Sequence, residues 1–139
     1  MPTCSYNKFR AWNENMVEVA NCGTDQFIVA LCATANAPVN TNSVLADLTT
    51  VSYTNLSTRS LTTSSSSQSA GVYSLVIADL TLTASGGTVA SFQYIVIYDD
   101  TPTSPADPLV CWYDYGSAVS LQDAESLLLD FGSSLFTVT

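Results

Sequence analysis

The sequence contains no histidine and only three basic residues, Lys8, Arg10 and Arg59. Without histidine, the Ser-His-Asp and Cys-His arrangements of hydrolases are excluded. No lysine or arginine follows Arg59, and the net charge of the chain is −9. Proteins bind nucleic acid largely through lysine and arginine, so a surface this acidic repels phosphate backbones. We therefore expect no nucleic-acid partner.

The chain also lacks the spacing patterns of common sites and a long apolar run. Its four cysteines show no CxxC spacing, which predicts free thiols or a pair such as Cys22 and Cys111. Gly86 and Gly87 are not followed by the lysine of a phosphate-binding loop. The N-terminus has no apolar signal segment, and no run is long enough to span a membrane. We expect no cofactor, no metal, no catalytic residue and no membrane partner.

Length and composition predict one all-β domain. A chain of 139 residues can bury roughly two thirds of its unfolded surface in a single core. Hydroxyl, β-branched and aromatic side chains are abundant, whereas charged residues make up only 11%. Hydroxyl groups cover the outer face of a sheet without repelling cross-strand neighbours. The composition therefore favours a single-domain antiparallel β-sandwich, either jelly-roll or immunoglobulin-like.

The strongest strand signals form a hairpin in the second half of the chain. Phe92–Tyr98 and Leu109–Tyr115 are apolar or aromatic at nearly every position, and prolines and aspartates separate them. Strict alternation places Leu109, Cys111 and Tyr113 on one face of the second strand. Strands that are apolar on both faces are normally covered on both sides. The hairpin is therefore predicted in the middle of a sandwich or at a subunit interface.

Weaker patterns complete a predicted sandwich of residues 21–139. Residues 1–20 are expected to form a short N-terminal arm or helix in the same domain, with Ser5 able to cap the helix. The serine-rich stretch Thr58–Ser69 has little to bury, which favours a mobile loop over an edge strand. Further strands are predicted at Phe27–Ala33, Gly71–Ala84, Glu125–Phe131 and Leu135–Thr139.

Aromatic residues beside the hairpin loop form one candidate interaction site. Tyr98, Trp112, Tyr113 and Tyr115 flank this loop, and such rings are favoured where one end is buried and the other meets a partner. The alternative is that the rings fill the core. Two-sided apolar strands in a short chain also predict self-association as a homotrimer or homodimer.

Four aspartates near the same loop form a second candidate site. Asp99, Asp100 and Asp107 lie in or beside the loop, and Asp114 lies at the end of the returning strand. Loop carboxylates are ligands that calcium accepts, and two of them could serve a glycosidase. Because the spacing matches no calcium-loop signature and aspartate is common in turns, we expect a solvated turn without metal.

Several segments in a fixed order resemble a known protein family. They are Tyr6-Asn7-Lys8-Phe9, the strand Phe27–Cys32, YIVIYDDT at Tyr94–Thr101, PLVCWYDYGS at Pro108–Ser117, and ESLLLDFGSSLFTVT at Glu125–Thr139. Together they resemble small structural proteins of tailed bacteriophages. The chain departs from the family pattern at Ser60–Ser69, which is serine-rich where many relatives are rich in tyrosine and glycine.

The resemblance implies a viral structural protein that is not an enzyme. The expected function is that of a capsid decoration (cement) protein, made in the host cytoplasm and bound to the capsid exterior of the virion. Its implied partners are the major capsid protein and further copies of itself. The segment with Tyr6, Lys8, Phe9, Arg10 and Trp12 is expected to dock on the shell, since a terminus gains order and buried aromatic area on binding. Alternatively, Phe9 and Trp12 cover the base of the sandwich.

Two other classes of function remain open at this point. One is a tail- or fibre-associated module that binds a host-surface carbohydrate or receptor through the loops rich in aspartate and tyrosine. The other is a small hydrolase, which the missing histidine makes the weakest of the three.

Overall fold

A computed structural model describes residues 4–139, so the first three residues of the predicted arm lie outside the described range. The chain folds into β-strands with one short α-helix, α1, at Trp12–Glu18. The strands are β1 (Ser5–Lys8), β2 (Phe27–Cys32), β3 (Thr63–Ser69), β4 (Val72–Ile77), β5 (Leu80–Thr83), β6 (Phe92–Asp99), β7 (Leu109–Val119), β8 (Ser126–Leu129) and β9 (Phe136–Val138). The predicted all-β single domain is confirmed.

The strands pair antiparallel in three sheets, with the orders β1-β7-β6-β2, β3-β4-β9 and β5-β8. One face of the four-stranded sheet packs against the two smaller sheets. Val29 and Ile97 from the large sheet meet Leu75 and Leu82 from the small ones in the main core, and all four are at most marginally exposed. The arrangement is sandwich-like, because two layers of sheet bury their apolar faces against each other.

The second face of the four-stranded sheet is also covered. Ala30, Val96 and Trp112 form a second buried cluster there, and the Phe9 ring closes it. Phe9 lies 4.6 Å from Trp112, measured between ring centroids. The hairpin β6–β7 therefore lies in the middle of the large sheet with apolar cover on both sides, which explains why its strands are apolar at successive positions.

A β-bulge near the start of β7 changes which residues share a face. Ile97 pairs with Cys111, but the next pair joins Tyr98 to Leu109, so Val110 is left over in β7. Val110 and Cys111 consequently both contribute to the main core, whereas Leu109 belongs to the second cluster. The prediction that Leu109 and Cys111 share a face was wrong, because the extra residue of a bulge interrupts strict alternation.

Three weaker predictions also need correction. The serine-rich segment is a strand, β3, paired with β4 along Thr63–Ser69, and the predicted strand Gly71–Ala84 divides into β4 and β5 in different sheets. Ser5 belongs to β1, and Ala11 stands at the N-cap of α1 without a side-chain cap bond.

Within residues 4–139, no helix combines the length and the apolar character needed to cross a membrane.

Candidate functional site

The edge strand β1 places one aromatic and one basic side chain together at the border of the four-stranded sheet. Tyr6 and Lys8 are two residues apart in β1, so they project from the same face. Tyr6 pairs with Tyr113 of β7, and their rings meet edge to face with centroids 5.4 Å apart. Tyr6 remains 42% exposed. One side of its ring is therefore anchored while the other is open to solvent.

Arg10 extends this basic edge into the turn before α1. Its backbone N–H donates to the Asn40 carbonyl at 3.0 Å, which fixes the turn. Both Lys8 and Arg10 are exposed, and the Lys8 Nζ donates to Asn13 Oδ1 at 2.9 Å. We name Tyr6, Lys8 and Arg10 the basic edge.

The third basic residue, Arg59, makes its contacts with groups inside the protein. Arg59 donates to the Val29 carbonyl at 2.6 Å, and its guanidinium lies 3.6 Å from the centroid of the Tyr53 ring. Arg59 is also only half-exposed. Lys8 and Arg10 of the basic edge are therefore the exposed basic side chains of a protein whose net charge is −9.

The hydroxyl and thiol groups beneath the basic edge are held neutral. Burial raises the pKa of Tyr6 and of Tyr113 above their ordinary value, and the neighbouring Cys111 adds to the shift. Burial likewise raises the pKa of the Cys111 thiol to about 12. These groups consequently remain protonated at neutral pH, so the edge offers hydrogen bonds and aromatic surface and no nucleophile.

The structure divides the predicted shell-contact residues into two groups. Tyr6, Lys8 and Arg10 are exposed, whereas Phe9 is fully buried and Trp12 is 1% exposed. The two buried rings therefore complete the core, which is the alternative that the sequence leaves open for them. Rings packed in the core are not offered to a partner, so docking remains a prediction for Tyr6, Lys8 and Arg10.

The predicted oligomer-contact residues are divided in the same way. Tyr98 and Trp112 are buried in the second cluster, and Tyr113 and Tyr115 are half-buried against the main core. For Tyr98 and Trp112 the structure supports the core alternative. The open aromatic surface in this region is the outer side of Tyr6 together with the half-exposed rings of Tyr113 and Tyr115.

The four predicted aspartates do not converge on one point. Asp99 ends β6, and Asp100 and Asp107 lie in the hairpin loop close enough that the charge on Asp100 raises the pKa of Asp107, after burial itself. Asp114 is paired with Tyr94 in mid-sheet, where its Oδ1 accepts hydrogen bonds from Gln93 Nε2 at 3.0 Å and from the Gly116 backbone at 2.8 Å. Across residues 4–139, no cluster of three or more potential metal-binding side chains is present.

A buried acid pair is the feature that the sequence pattern does not reveal. Asp99 is fully buried; its Oδ1 accepts from the Thr101 backbone at 3.2 Å, and its Oδ2 makes no hydrogen bond within residues 4–139. Burial and the nearby Asp25 carboxyl raise the pKa of Asp99 to about 8. Asp99 therefore stays protonated at neutral pH. Asp25 lies in a turn far away in sequence, so no spacing rule links the two.

An open groove lies where residues of α1, β4 and β9 approach each other. Its volume is about 480 Å³, and its lining includes Met16, Ala20, Cys22, Tyr73 and Val138. Burial and the nearby charge of Asp99 raise the pKa of Cys22 to about 11, so this thiol is also protonated at neutral pH. All four cysteines are free, and the pairing of Cys22 with Cys111 is absent.

Comparison of the chain with family models, with curated proteins and with solved structures finds no match. The class that the fold and the surface define is an all-β, single-domain protein with one exposed basic and aromatic edge. Any functional conclusion therefore rests on the positions and contacts of individual residues.

Proposed function

We propose that this chain is a structural virion protein that is not an enzyme: a capsid decoration protein that binds the outer surface of a tailed-phage capsid. The partner in this proposal is the major capsid protein. The resemblance of the hairpin, the N-terminal segment and the last two strands to small phage structural proteins supports the setting. The exposure of Tyr6, Lys8 and Arg10 in the basic edge is the observation that supports the proposed mode of binding.

The basic edge suits a docking role for a physical reason. Elsewhere the described surface is acidic or neutral apart from the half-exposed Arg59, so a negatively charged protein surface is attracted mainly near Lys8 and Arg10. Tyr6 adds an anchored ring that can lose its remaining exposed area to a partner without losing much conformational freedom. On a lattice, one such modest contact is repeated many times and becomes strong through repetition.

The proposal predicts that capsid binding depends on the two exposed basic residues. The double variant Lys8→Gln/Arg10→Gln should weaken binding to tailless capsids on the order of tenfold, since it removes the charges that steer and orient docking. Co-sedimentation with capsids from the source phage measures the affinity, and band densitometry gives the copy number. Wild-type protein should bind at many copies per capsid, and added salt should weaken the binding.

A matched control separates the basic edge from total charge. The variant Ser91→Glu/Ser120→Glu reaches the same net charge at two exposed positions beyond the ends of the β6–β7 pairing. It should bind capsids like the wild type. Equal losses in both variants, or no loss in the first, would contradict docking through the basic edge. Wild-type protein found in tails at a few copies, and not on capsids, would contradict the decoration function and favour the tail- or fibre-associated module.

A further inference from the structure

The hairpin formed by β3 and β4 carries no charged side chain. The sequence has no aspartate, glutamate, lysine or arginine between Arg59 and Asp79, although the chain as a whole has a net charge of −9. Two copies of such an acidic protein repel each other over most of their surface. The uncharged hairpin is a surface on which two copies can come into contact without opposing like charges.

The strand β3 is also an open edge. It lies at the border of its sheet in the order β3-β4-β9, and five of its seven residues are exposed. Edge strands are usually protected by lysine, proline or a bulge. Here the protection is limited to a register shift between Thr63 and Ser65. The segment Ser65–Ser69 is therefore regular and uncharged, and no other described strand pairs with its outer side.

The register with β4 shows which backbone groups point outward. Ala70 and Gly71 form a two-residue turn with φ values of +51° and +82°, which are typical of a type I′ hairpin. In such a hairpin the pair next to the turn, Ser69 and Val72, is hydrogen-bonded, and alternate pairs follow. The N–H and C=O groups of Ser66 and Gln68 consequently point away from β4 toward the open edge.

The other borders of the sheets are shorter or partly covered. Strand β1 has four residues and carries Lys8, and β9 has three residues. The outer side of β2 is bridged by Ser60, and the Val29 N–H donates to the Arg59 carbonyl. Among the described strands, β3 is therefore the longest edge without a charged residue.

We infer that two copies of this chain pair through β3, antiparallel and around a two-fold axis at Ser67. In this register Ser66 of each copy faces Gln68 of the other, so the outward backbone groups form about four hydrogen bonds between the copies. A two-fold contact requires a patch that complements itself, and the run of small uncharged side chains from Ser65 to Ser69 meets this condition. The pairing joins two three-stranded sheets into one sheet of six strands.

This inference adds the self-contact surface to the proposed function and rests on it only for the virion setting. The interface is small and polar, so the dimer should be weak in solution, with a dissociation constant of about 10 μM to 1 mM. On a capsid, neighbouring copies at high local concentration would then pair. The isolated protein is sufficient for the test, so a failure of self-pairing leaves capsid docking unaffected.

The test places a charge at the two-fold axis. Ser67→Lys brings two ammonium groups opposite each other across the axis and should raise the dissociation constant of the dimer at least about tenfold. Ser67 is exposed, and its recorded side-chain contact is a 3.3 Å hydroxyl contact with Ser65, so the monomer fold should be retained. Sedimentation velocity over concentrations up to about 1 mM measures the association.

The chain offers a control in the same row of the same sheet. Ser67 pairs with Ser74, and Ser74 pairs with Thr137 at the opposite edge, so Thr137→Lys makes the same charge change on the same face. Thr137→Lys should leave the dimer unchanged within about twofold. Mixing Ser67→Lys protein with Ser67→Glu protein should restore pairing, since opposite charges then face each other.

Three results would overturn the inference. The first is a wild-type protein that stays monomeric up to about 1 mM. This outcome would also be seen if β3 paired only with a strand of a different protein. The second is a dimer that Ser67→Lys does not weaken. The third is an equal loss of dimer in Ser67→Lys and Thr137→Lys, which would assign the contact to general electrostatics.

Discussion

Replacing Trp12 with alanine is expected to lower the free energy of unfolding by about 3–5 kcal/mol. The indole ring is 1% exposed and lies edge-on to Phe27 and Phe136, with ring centroids 6.4 and 6.1 Å away. Its removal takes aromatic surface out of the main core and leaves a cavity that the surrounding strands can close only in part. The indole N–H makes no hydrogen bond within residues 4–139, so the loss comes from packing and not from a broken hydrogen bond.

A matched control lies on the same helix. Val17 is 79% exposed, and Val17→Ala should change the free energy of unfolding by less than about 0.5 kcal/mol. Urea unfolding followed by circular dichroism gives both values, provided that the slope with denaturant is unchanged. If Trp12→Ala were as stable as Val17→Ala, α1 would not be packed on the sheet as described.

This result bears directly on how the docking function is tested. Deleting residues 1–12 would remove β1 together with Phe9 and Trp12, both of which complete the core. Loss of capsid binding after such a truncation would report unfolding and not the loss of a contact. The point variants at Lys8 and Arg10 avoid this confusion, because their side chains are exposed.

Replacing Asp99 with asparagine is expected to remove a large part of the pH dependence of stability. The pKa of Asp99 is raised from 3.8 to about 8 by burial and by the neighbouring carboxyls of Asp25 and Asp100. The neutral Asp99 carboxyl contributes fully to the free energy of unfolding when the pH is below the pKa of this group in the unfolded chain. This contribution is lost as the pH rises toward about 8, because the unfolded chain releases this proton first.

The slope follows from linkage. Between these two pKa values the folded state holds one more proton than the unfolded state, so the free energy of unfolding should fall by up to about 1.4 kcal/mol per pH unit. Asparagine keeps the shape of the side chain and stays uncharged at every pH, while its Oδ1 still accepts from Thr101. The advantage of Asp99→Asn over the wild type should therefore grow as the pH is raised and level off above about pH 8.

Urea unfolding from about pH 5 to about pH 9 measures this difference. Asp130→Asn is the control: it makes the same chemical change at an exposed carboxyl that accepts from the Gly132 backbone at 2.8 Å. Its curve should run parallel to that of the wild type. A parallel curve for Asp99→Asn as well would mean that Asp99 is already ionised in the folded protein.

The central hairpin is the part of the fold that the sequence predicts best. Runs such as Phe92–Tyr98 have no polar face to give to solvent, so burial on both sides is the physical solution available to them. The Val110 bulge is not visible in the same pattern, since alternation shows the faces of a regular strand and carries no sign of an extra residue.

The serine-rich strand and the acid pair show why the rest could not be predicted. Thr63–Ser69 has almost no apolar side chain, and its order comes from ladder bonds to β4 and from the 2.7 Å contact between the Ser66 and Tyr73 hydroxyls. Neither is encoded in local composition. Asp25 and Asp99 lie near each other because β2 and β6 are paired, so their proximity follows from the tertiary fold. The basic edge lies between these cases: the sequence predicts Tyr6, Lys8 and Arg10 as contact residues but does not decide whether Phe9 and Trp12 are buried.

The two-sided cover of the four-stranded sheet places one fully buried thiol in each packed layer. Cys111 belongs to the main core and Cys32 to the cluster on the opposite face. Neither thiol can be alkylated until its own layer opens. The labelling rates of the two cysteines in the native protein therefore report separately on the opening of each layer. A faster rate at Cys32 would mean that the Phe9 side loosens while the sandwich interior stays closed, whereas equal rates would mean that both layers open in a single cooperative step.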